Sequence, residues 1–504
     1  MMAFTVLSRV MGLVRTKYIA YLFGRGTDAF YGAFMLPDMI SYFLVGGALS
    51  ATLVTILTRY RDTGRQDAEE RTLSVILTTM YLVLGVAIVL AELLAPFYVH
   101  RMFPGFDAPK AQLCVQLTRI LLPAQLFFFA SGVFGAALFV RKQFTVQAVA
   151  PLIYNLGTIV GGLLLVKRMG ISSLAVGTVA GAFFGNFLLN AYFVRKAGLH
   201  FRPILDWRDE GLREWVRLSV PLMAGVSLVS ADPWIITHFA SSTDGAITLM
   251  NVAKQLFSAP TAILAQAAGA ASMPFFASLW AKQQRYEFAV GVADSVSRVA
   301  SLGLLAASIM AVLAAPVVEL IYLGGRFSAA DCRECAAYFA VFSISLFLWS
   351  AQAIYSRAFY AAGNTFIPMV AATLVTVVSL PLYAWLYRWQ GAMGLAIASN
   401  LGILMQTAAL AVLLHQRHMV SLASLDYREM GRCLLAAVTS GAAVALAFSG
   451  LGGALDRAMP GQTRWTDLVV LIAGTALWTL LTKWILERTG SALPRVMMKR
   501  LGWA

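Results

Sequence analysis

Apolar stretches of about twenty residues recur from one end of the chain to the other. Each is long enough to cross roughly 30 Å of hydrocarbon as a helix, and short polar breaks separate them. The pattern predicts about fourteen spans, with approximate cores at 4–23, 29–57, 72–99, 113–139, 148–166, 171–194, 215–240, 247–279, 287–322, 335–361, 366–387, 391–414, 430–450 and 466–487. Several cores exceed twenty residues, so tilted or projecting helices are expected. The fold class expected is an all-α polytopic membrane protein. The longest polar interruption between early spans, 199–213, carries Phe201, Ile204, Leu205, Trp207 and Leu212, which suits a short amphipathic segment on the membrane surface.

Composition agrees. The chain has 504 residues, 59% hydrophobic and 12% charged, where soluble proteins carry about 25% charged residues. Mean hydropathy is +0.74. The first apolar segment holds internal arginines and lacks a small-residue cleavage site, so no cleavable signal is expected. The net charge of +15 does not point to nucleic acid. With the N-terminus inside, the inner breaks hold about twice as many Lys and Arg as the outer ones. Both termini are therefore expected on the cytoplasmic side.

A repeat emerges at an offset of 220 to 223 residues: Pro37 with Pro260, Gly46 with Gly269, Ala95-Pro96 with Ala315-Pro316, Phe106 with Phe327, Phe139 with Phe359, and Gly181 with Gly402. It implies two six-span lobes, 1–210 and 211–420, followed by two extra spans in 421–504. Six is even, so the lobes share one orientation and are related by an axis along the membrane normal. Transporters built this way bind substrate between the repeats and rock them for alternating access.

Charges inside spans are the candidate site, because each costs roughly 2.5–3.5 kcal/mol on insertion. Arg9 and Arg15 lie six apart on the first span, within about 120° of each other. Two placements fit them: a wet cavity, or snorkelling to the interface. Asp38 in the second span falls at a depth similar to Arg15 if the two spans form a hairpin about Gly24-Arg25-Gly26. In the seventh and eighth spans, Asp232 precedes the Thr243-Asp244-Gly245 turn by about the distance that Lys254 follows it, so the two are expected to pair; Gln255 sits beside them. Pro221, Pro233, Pro260 and Pro368 are expected to kink their helices.

Cysteine is sparse. Cys114 and Cys433 read as core residues. Cys332 and Cys335 have CxxC spacing where a loop enters a helix, which leaves a disulfide or redox role open. His415-Gln416-Arg417-His418 reads as a solvated helix end. The sequence holds no phosphate-cradling P-loop, zinc helix motif or serine elbow, so we expect a transporter and not an enzyme. No metal or cofactor is expected; the membrane potential or a monovalent cation is the candidate drive.

Ser8-Arg9-Val10-Met11-Gly12-Leu13-Val14-Arg15, Thr27-Asp28-Ala29-Phe30, Leu36-Pro37 and Gly47-Ala48-Leu49-Ser50 together resemble the N-terminal signature of the MurJ (MviN) lipid II flippases. These belong to the multidrug/oligosaccharidyl-lipid/polysaccharide exporter superfamily. Pro104-Gly105-Phe106, Gly325-Arg326-Phe327-Ser328, Arg357-Ala358-Phe359-Tyr360-Ala361, Asn364-Thr365 and Pro368 extend the likeness over essentially the whole chain. The resemblance implies a two-lobed bundle with a cationic cavity and a groove for a polyprenyl tail along the last two spans. The implied cargo is an undecaprenyl-pyrophosphate-linked precursor moved to the outer leaflet, with membrane lipids and cell-wall synthesis proteins as partners. It also marks Arg9, Arg15 and Asp28 as functional positions. Arg suits the task because its fork matches phosphate oxygens bidentately. Three positions depart from the family. Ser41 and Gln255 stand near places where members carry Arg, and Gly46 stands where they carry Glu. These departures keep open a second cargo, another polyprenyl-linked glycan or an amphiphile, and a third reading as a non-transporting envelope scaffold.

Overall fold

The computed structural model describes residues 2–45, 47–223, 227–458 and 463–494. Gly46 and the C-terminal cations Arg495, Lys499 and Arg500 lie outside the described residues. Among those described, the structure is helical and contains no strand. Nine helices among the described residues are individually long and apolar enough to cross a membrane, or ten when one bent pair is joined. Of the other expected spans, 4–23 is the single helix Met2–Phe23, and the described parts of 29–57 and 215–240 are shorter helical pieces.

The chain divides into two compact units, Met1–Gly225 with Ser241–Thr248, and Val226–Ala240 with Leu249–Ala504. In chain order the first unit holds α1 (Met2–Phe23), α2 (Asp28–Ala33), α3 (Met35–Ile40), α4 (Gly47–Asp62), α5 (Gln66–Met102), α6 (Ala108–Leu121), α7 (Ala124–Val140), α8 (Thr145–Met169), α9 (Ser172–Gly181), α10 (Leu189–Lys196) and α11 (Glu210–Met223). Then come α12 (Leu228–Ala240), α13 (Ala246–Thr261), α14 (Ala268–Ala281), α15 (Arg285–Val312), α16 (Ala314–Tyr322), α17 (Ala329–Ile344), α18 (Leu346–Ala361), α19 (Phe366–Gln416), α20 (Tyr427–Ala458) and α21 (Thr463–Arg488).

Three breaks are π turns, at Ser41–Val45, Ala182–Leu188 and Ala262–Ala267. Such turns insert an extra residue into the helical ladder and recur at functional sites. The four prolines expected to kink all lie within helices. Helix α12 runs through Pro233, and Pro368 sits in the opening turn of α19. Among the described residues, Pro260 stands two residues before the third π turn, and Pro221 lies two residues before the end of α11.

Helix α19 covers the eleventh and twelfth expected spans. It turns at Gly391, where φ is 58° and ψ −140°, a conformation open to glycine but strained for other residues. A Cβ on Gly394 would lie 2.0 Å from the Leu386 carbonyl oxygen. In a straight helix those residues would be about 12 Å apart, so the chain doubles back here and makes two spans.

In the first unit, small residues set the packing. A Cβ on Gly157 would sit 2.5 Å from the Gly181 Cα, and one on Gly161 would sit 2.4 Å from the Gly177 Cα. The backbones of α8 and α9 therefore touch, as small-xxx-small helix pairs do in membranes. Gly162 gives the same room to Tyr18, whose ring would be 2.7 Å from an added Cβ; this seats α1 against α8. In the second unit, α20 and α21 close on α15. The Ser308 hydroxyl donates to the Ala437 carbonyl at 2.5 Å and accepts from the Trp478 indole at 3.3 Å, and Thr482 donates to Ser440 at 3.0 Å. Leu446, Ile472, Leu480 and Trp484 point outward from these two helices, as lipid-facing side chains do.

Candidate functional site

The close seat of α1 on α8 decides where Arg15 goes. Its guanidinium carbon lies 6.0 Å from the centroid of the Tyr154 ring on α8, and Arg15 is half-buried. The Nε is buried and has no hydrogen-bond partner. Five donors in a fixed fork normally find acceptors, so the Nε keeps an unused donor. Tyr154 also lines a cavity of about 220 Å³ in the wall of the first unit, with Asp38, Ser41, Gln125 and Thr178. Arg15 and Asp38 therefore approach the same tyrosine from two helices. A water's share of liquid volume is about 30 Å³, so the cavity has room for several waters but not for a disaccharide-peptide. Arg9 is exposed, two turns earlier on α1, and does not line this cavity.

Asp28 is elsewhere and does different work. It is 1% exposed and accepts three hydrogen bonds, from the Gly245 amide at 2.7 Å, the Thr248 amide at 2.9 Å and the Thr248 hydroxyl at 2.6 Å. Lys110 stands 3.7 Å away and bridges to Asp244 at 2.5 Å. Asp28 thus fastens the first turn of α13, where backbone amides are otherwise orphaned and a negative charge is favoured. Gly105 completes the same corner. A Cβ there would fall 2.2 Å from the Ser242 Cα, which explains the Pro104-Gly105-Phe106 motif by close approach. Asp28 is expected from sequence to face a cavity, but it does not line the one that Asp38 lines; its carboxylate is saturated in a turn.

The second unit brings Asp232 and Lys254 together as an ion pair. The sequence spacing about the Thr243–Gly245 turn anticipates that contact. It does not anticipate Tyr383 of α19, whose hydroxyl donates to the other carboxylate oxygen. Gly402 makes this contact possible. An added Cβ there would meet a Leu228 methyl at 2.6 Å, so α12 lies against α19 and, one turn on, Asp232 reaches Tyr383. Asp232 is 3% exposed and Tyr383 0%. The Lys254 ammonium also lies 5.2 Å from the Phe342 ring, a cation–π distance. Gln255 is half-buried beside it. Lys254 is accordingly engaged, not a bare cation standing in for a family arginine.

The cysteine motif resolves differently from a bridge. Cys332 and Cys335 are both free and buried in the opening turns of α17, and the Cys335 thiol points at the Leu249 carbonyl, 3.6 Å away. The local feature is instead the capping box of Ser328 and Asp331. His415 and His418 are exposed at the end of α19. Among the described residues no group of His, Cys, Asp and Glu is arranged to hold a metal.

The fold defines a class before it defines a family. A solved lipid II flippase MurJ in an inward closed conformation superposes with a TM-score of 0.78 at 17% identity, covering 96% of this chain and 98% of that one. An inward-facing multidrug resistance MATE family transporter of the MOP superfamily gives 0.67 at 13% identity, covering 82% and 94%. The chain thus has the polytopic all-α fold shared by transporters of that superfamily.

The family model for lipid II flippase MurJ matches residues 19–452, and the chain belongs to that family. The probable lipid II flippases MurJ of Vibrio cholerae and Haemophilus influenzae are each 27% identical to it; the first match covers 82% of this chain and 81% of the relative, the second 87% and 90%. The lipid II flippase MurJ of Burkholderia cenocepacia is also 27% identical, over 82% of each chain.

Proposed function

We propose that this chain moves an undecaprenyl-pyrophosphate-linked peptidoglycan precursor, lipid II, from the inner to the outer leaflet of the bacterial inner membrane by alternating access. The observation that carries the reading is Arg15, which keeps a buried, unpartnered Nε inside an apolar helix in a chain of the MurJ family. Such a donor is costly unless an anion visits it, and a pyrophosphate supplies oxygens that match the guanidinium fork. The inward bias of Lys and Arg supports cytoplasmic termini, which would let the donor meet cargo made on that side.

A second cargo, another polyprenyl-linked glycan, draws support from one pair of observations. Ser41 lines the Asp38 cavity and Lys254 is bound to Asp232, so neither position offers the free arginine charge that family members carry nearby. Reconstitution tests the primary reading. Proteoliposomes loaded with labelled lipid II should expose the label to an external quencher faster with the wild-type chain than with Arg15→Ala. Equal rates would sink the assignment of Arg15, and no exposure above empty liposomes would sink the flippase reading itself.

A further inference from the structure

The first unit carries a cleft that the transport reading leaves unused. It has a volume of about 450 Å³ and opens between α5, α7 and α10, with Phe127 and Phe187 as long walls and Arg195 at its edge. A second cavity of about 360 Å³ shares Phe127 and continues past Val179 of α9. The rings between them form one aromatic column, Phe127 to Phe183 at 5.3 Å and Phe183 to Phe187 at 5.8 Å. The π turn Ala182–Leu188 presents these rings. From Val179 to Arg195 the helical rise is about 24 Å, which is the reach of a long acyl chain and not of a small solute.

Two polar features separate this groove from ordinary lipid-facing surface. Thr78 lines it, and its hydroxyl is buried without a hydrogen-bond partner. A helical threonine usually returns that hydroxyl to the carbonyl a turn before; here it is left for a ligand. The second feature is charge. Among the described residues the Arg195 guanidinium has no hydrogen-bond or ion-pair partner, and Lys196 and Arg202 lie close by in the chain. The neighbouring acids are occupied. Glu70 accepts from the His200 amide at 3.4 Å, and Asp206 pairs with Arg71 at 2.8 Å.

We propose that this groove is a binding site for one anionic glycerophospholipid. One acyl chain lies along the phenylalanine column, the Thr78 hydroxyl donates to a glycerol ester carbonyl, and the phosphate meets Arg195. The charge surplus at the mouth selects an anionic headgroup over a zwitterionic one. On the orientation proposed above, the mouth opens to the inner leaflet, but binding itself does not depend on that orientation or on transport.

The test uses the full-length protein, delipidated in detergent and titrated with phosphatidylglycerol or phosphatidylcholine. Thermal unfolding and bound phospholipid per chain are the readouts. Phosphatidylglycerol should raise the unfolding temperature by several degrees with one lipid retained per chain, and phosphatidylcholine should do much less. Arg195→Gln, an exposed change, should lose most of that difference while its lipid-free unfolding temperature stays put. Ala191→Trp, which fills the groove, should lose retention of both lipids. Equal shifts for the two lipids, or an unaltered response in Arg195→Gln, would overturn the site. So would displacement of the bound lipid by an equal amount of undecaprenyl phosphate, which would make the substrate's own tail the occupant. A protein that fails to move lipid II yet retains phosphatidylglycerol through Arg195 would leave this site standing.

Discussion

Replacing Asp232 with Asn removes the charge that holds Lys254 while keeping an acceptor for Tyr383. In soluble proteins, deleting one partner of a buried ion pair costs about 3–5 kcal/mol. Hydrogen bonds between membrane helices average only about 0.6 kcal/mol, because the inserted but unpacked helices find other partners. The Asp232 side chain keeps 4% of its exposure and Lys254 keeps 23%, so the lysine can recover some hydration and the aspartate cannot. We therefore expect about 2–3 kcal/mol for Asp232→Asn and a similar loss for Lys254→Gln, which leaves the buried carboxylate with Tyr383 alone. The double variant places two neutral amides together and should cost little more than either single change. The resulting coupling is about 2 kcal/mol. The assay is resistance of purified protein to heating, read as the monodisperse fraction at one fixed scan rate, since such unfolding is usually irreversible. The reciprocal swap, Asp232→Lys with Lys254→Asp, should restore heat resistance but not transport, because the positive charge then stands on the other helix. A loss of heat resistance in the double variant that equals the sum of the two single losses would refute the pair as an energetic unit.

Other outcomes follow from the same geometry. Arg15→Ala should abolish transport at normal membrane abundance, and Arg15→Lys should rescue it only in part because the planar fork is lost; transport assays beside immunoblots of membrane fractions check this. Asp28→Ala, which strips three hydrogen bonds from the first turn of α13, should cost about 3 kcal/mol in the same heating assay. Arg59 donates to Glu214 at 2.9 Å from one guanidinium nitrogen and also from the other, and these bonds hold the Glu214 carboxyl below its ordinary value of 4.5. A depressed carboxylate stabilises the fold above its unfolded value, and that support is lost as pH falls through the folded value. Arg59→Gln should therefore lower heat resistance slightly at pH 7, by at most about 1 kcal/mol for so exposed a pair, and the difference should shrink as pH falls through the lowered folded value of Glu214. Reporter fusions after Arg61, Lys142 and Arg285 should report cytoplasm, and fusions after Phe106, Asp244 and Gly325 the outside; an inverted result at any of them would break the fourteen-span topology.

Hydropathy carried the span order because each long apolar run has one cheap solution in a bilayer. Even the double span within Phe366–Gln416 was legible, since Gly391 follows the Arg388-Trp389-Gln390 break. The Asp232–Lys254 contact was legible for a local reason, as both residues flank one short turn at equal depth. Tyr383 was not, because it arrives from 151 residues away and nothing near Asp232 in sequence announces it. The π turns escaped too, since hydropathy is blind to which carbonyl an amide chooses. Proline was read as a kink signal, yet Pro368 sits in the opening turn of its helix, where a missing N–H costs little, and α12 continues through Pro233 as helix. Asp28 was marked by the family resemblance, which does not say what its carboxylate holds. The missing clue was Thr248, which lies 220 residues further on, within the offset of the internal repeat.

Complementation tests the central claim most directly. In cells depleted of their own lipid II flippase, expression of this chain should restore growth and make lipid II accessible at the outer leaflet, and Arg15→Ala, present in the membrane at equal amounts, should do neither. Lysis of the depleted cells despite full membrane insertion of the wild-type chain would contradict the assignment.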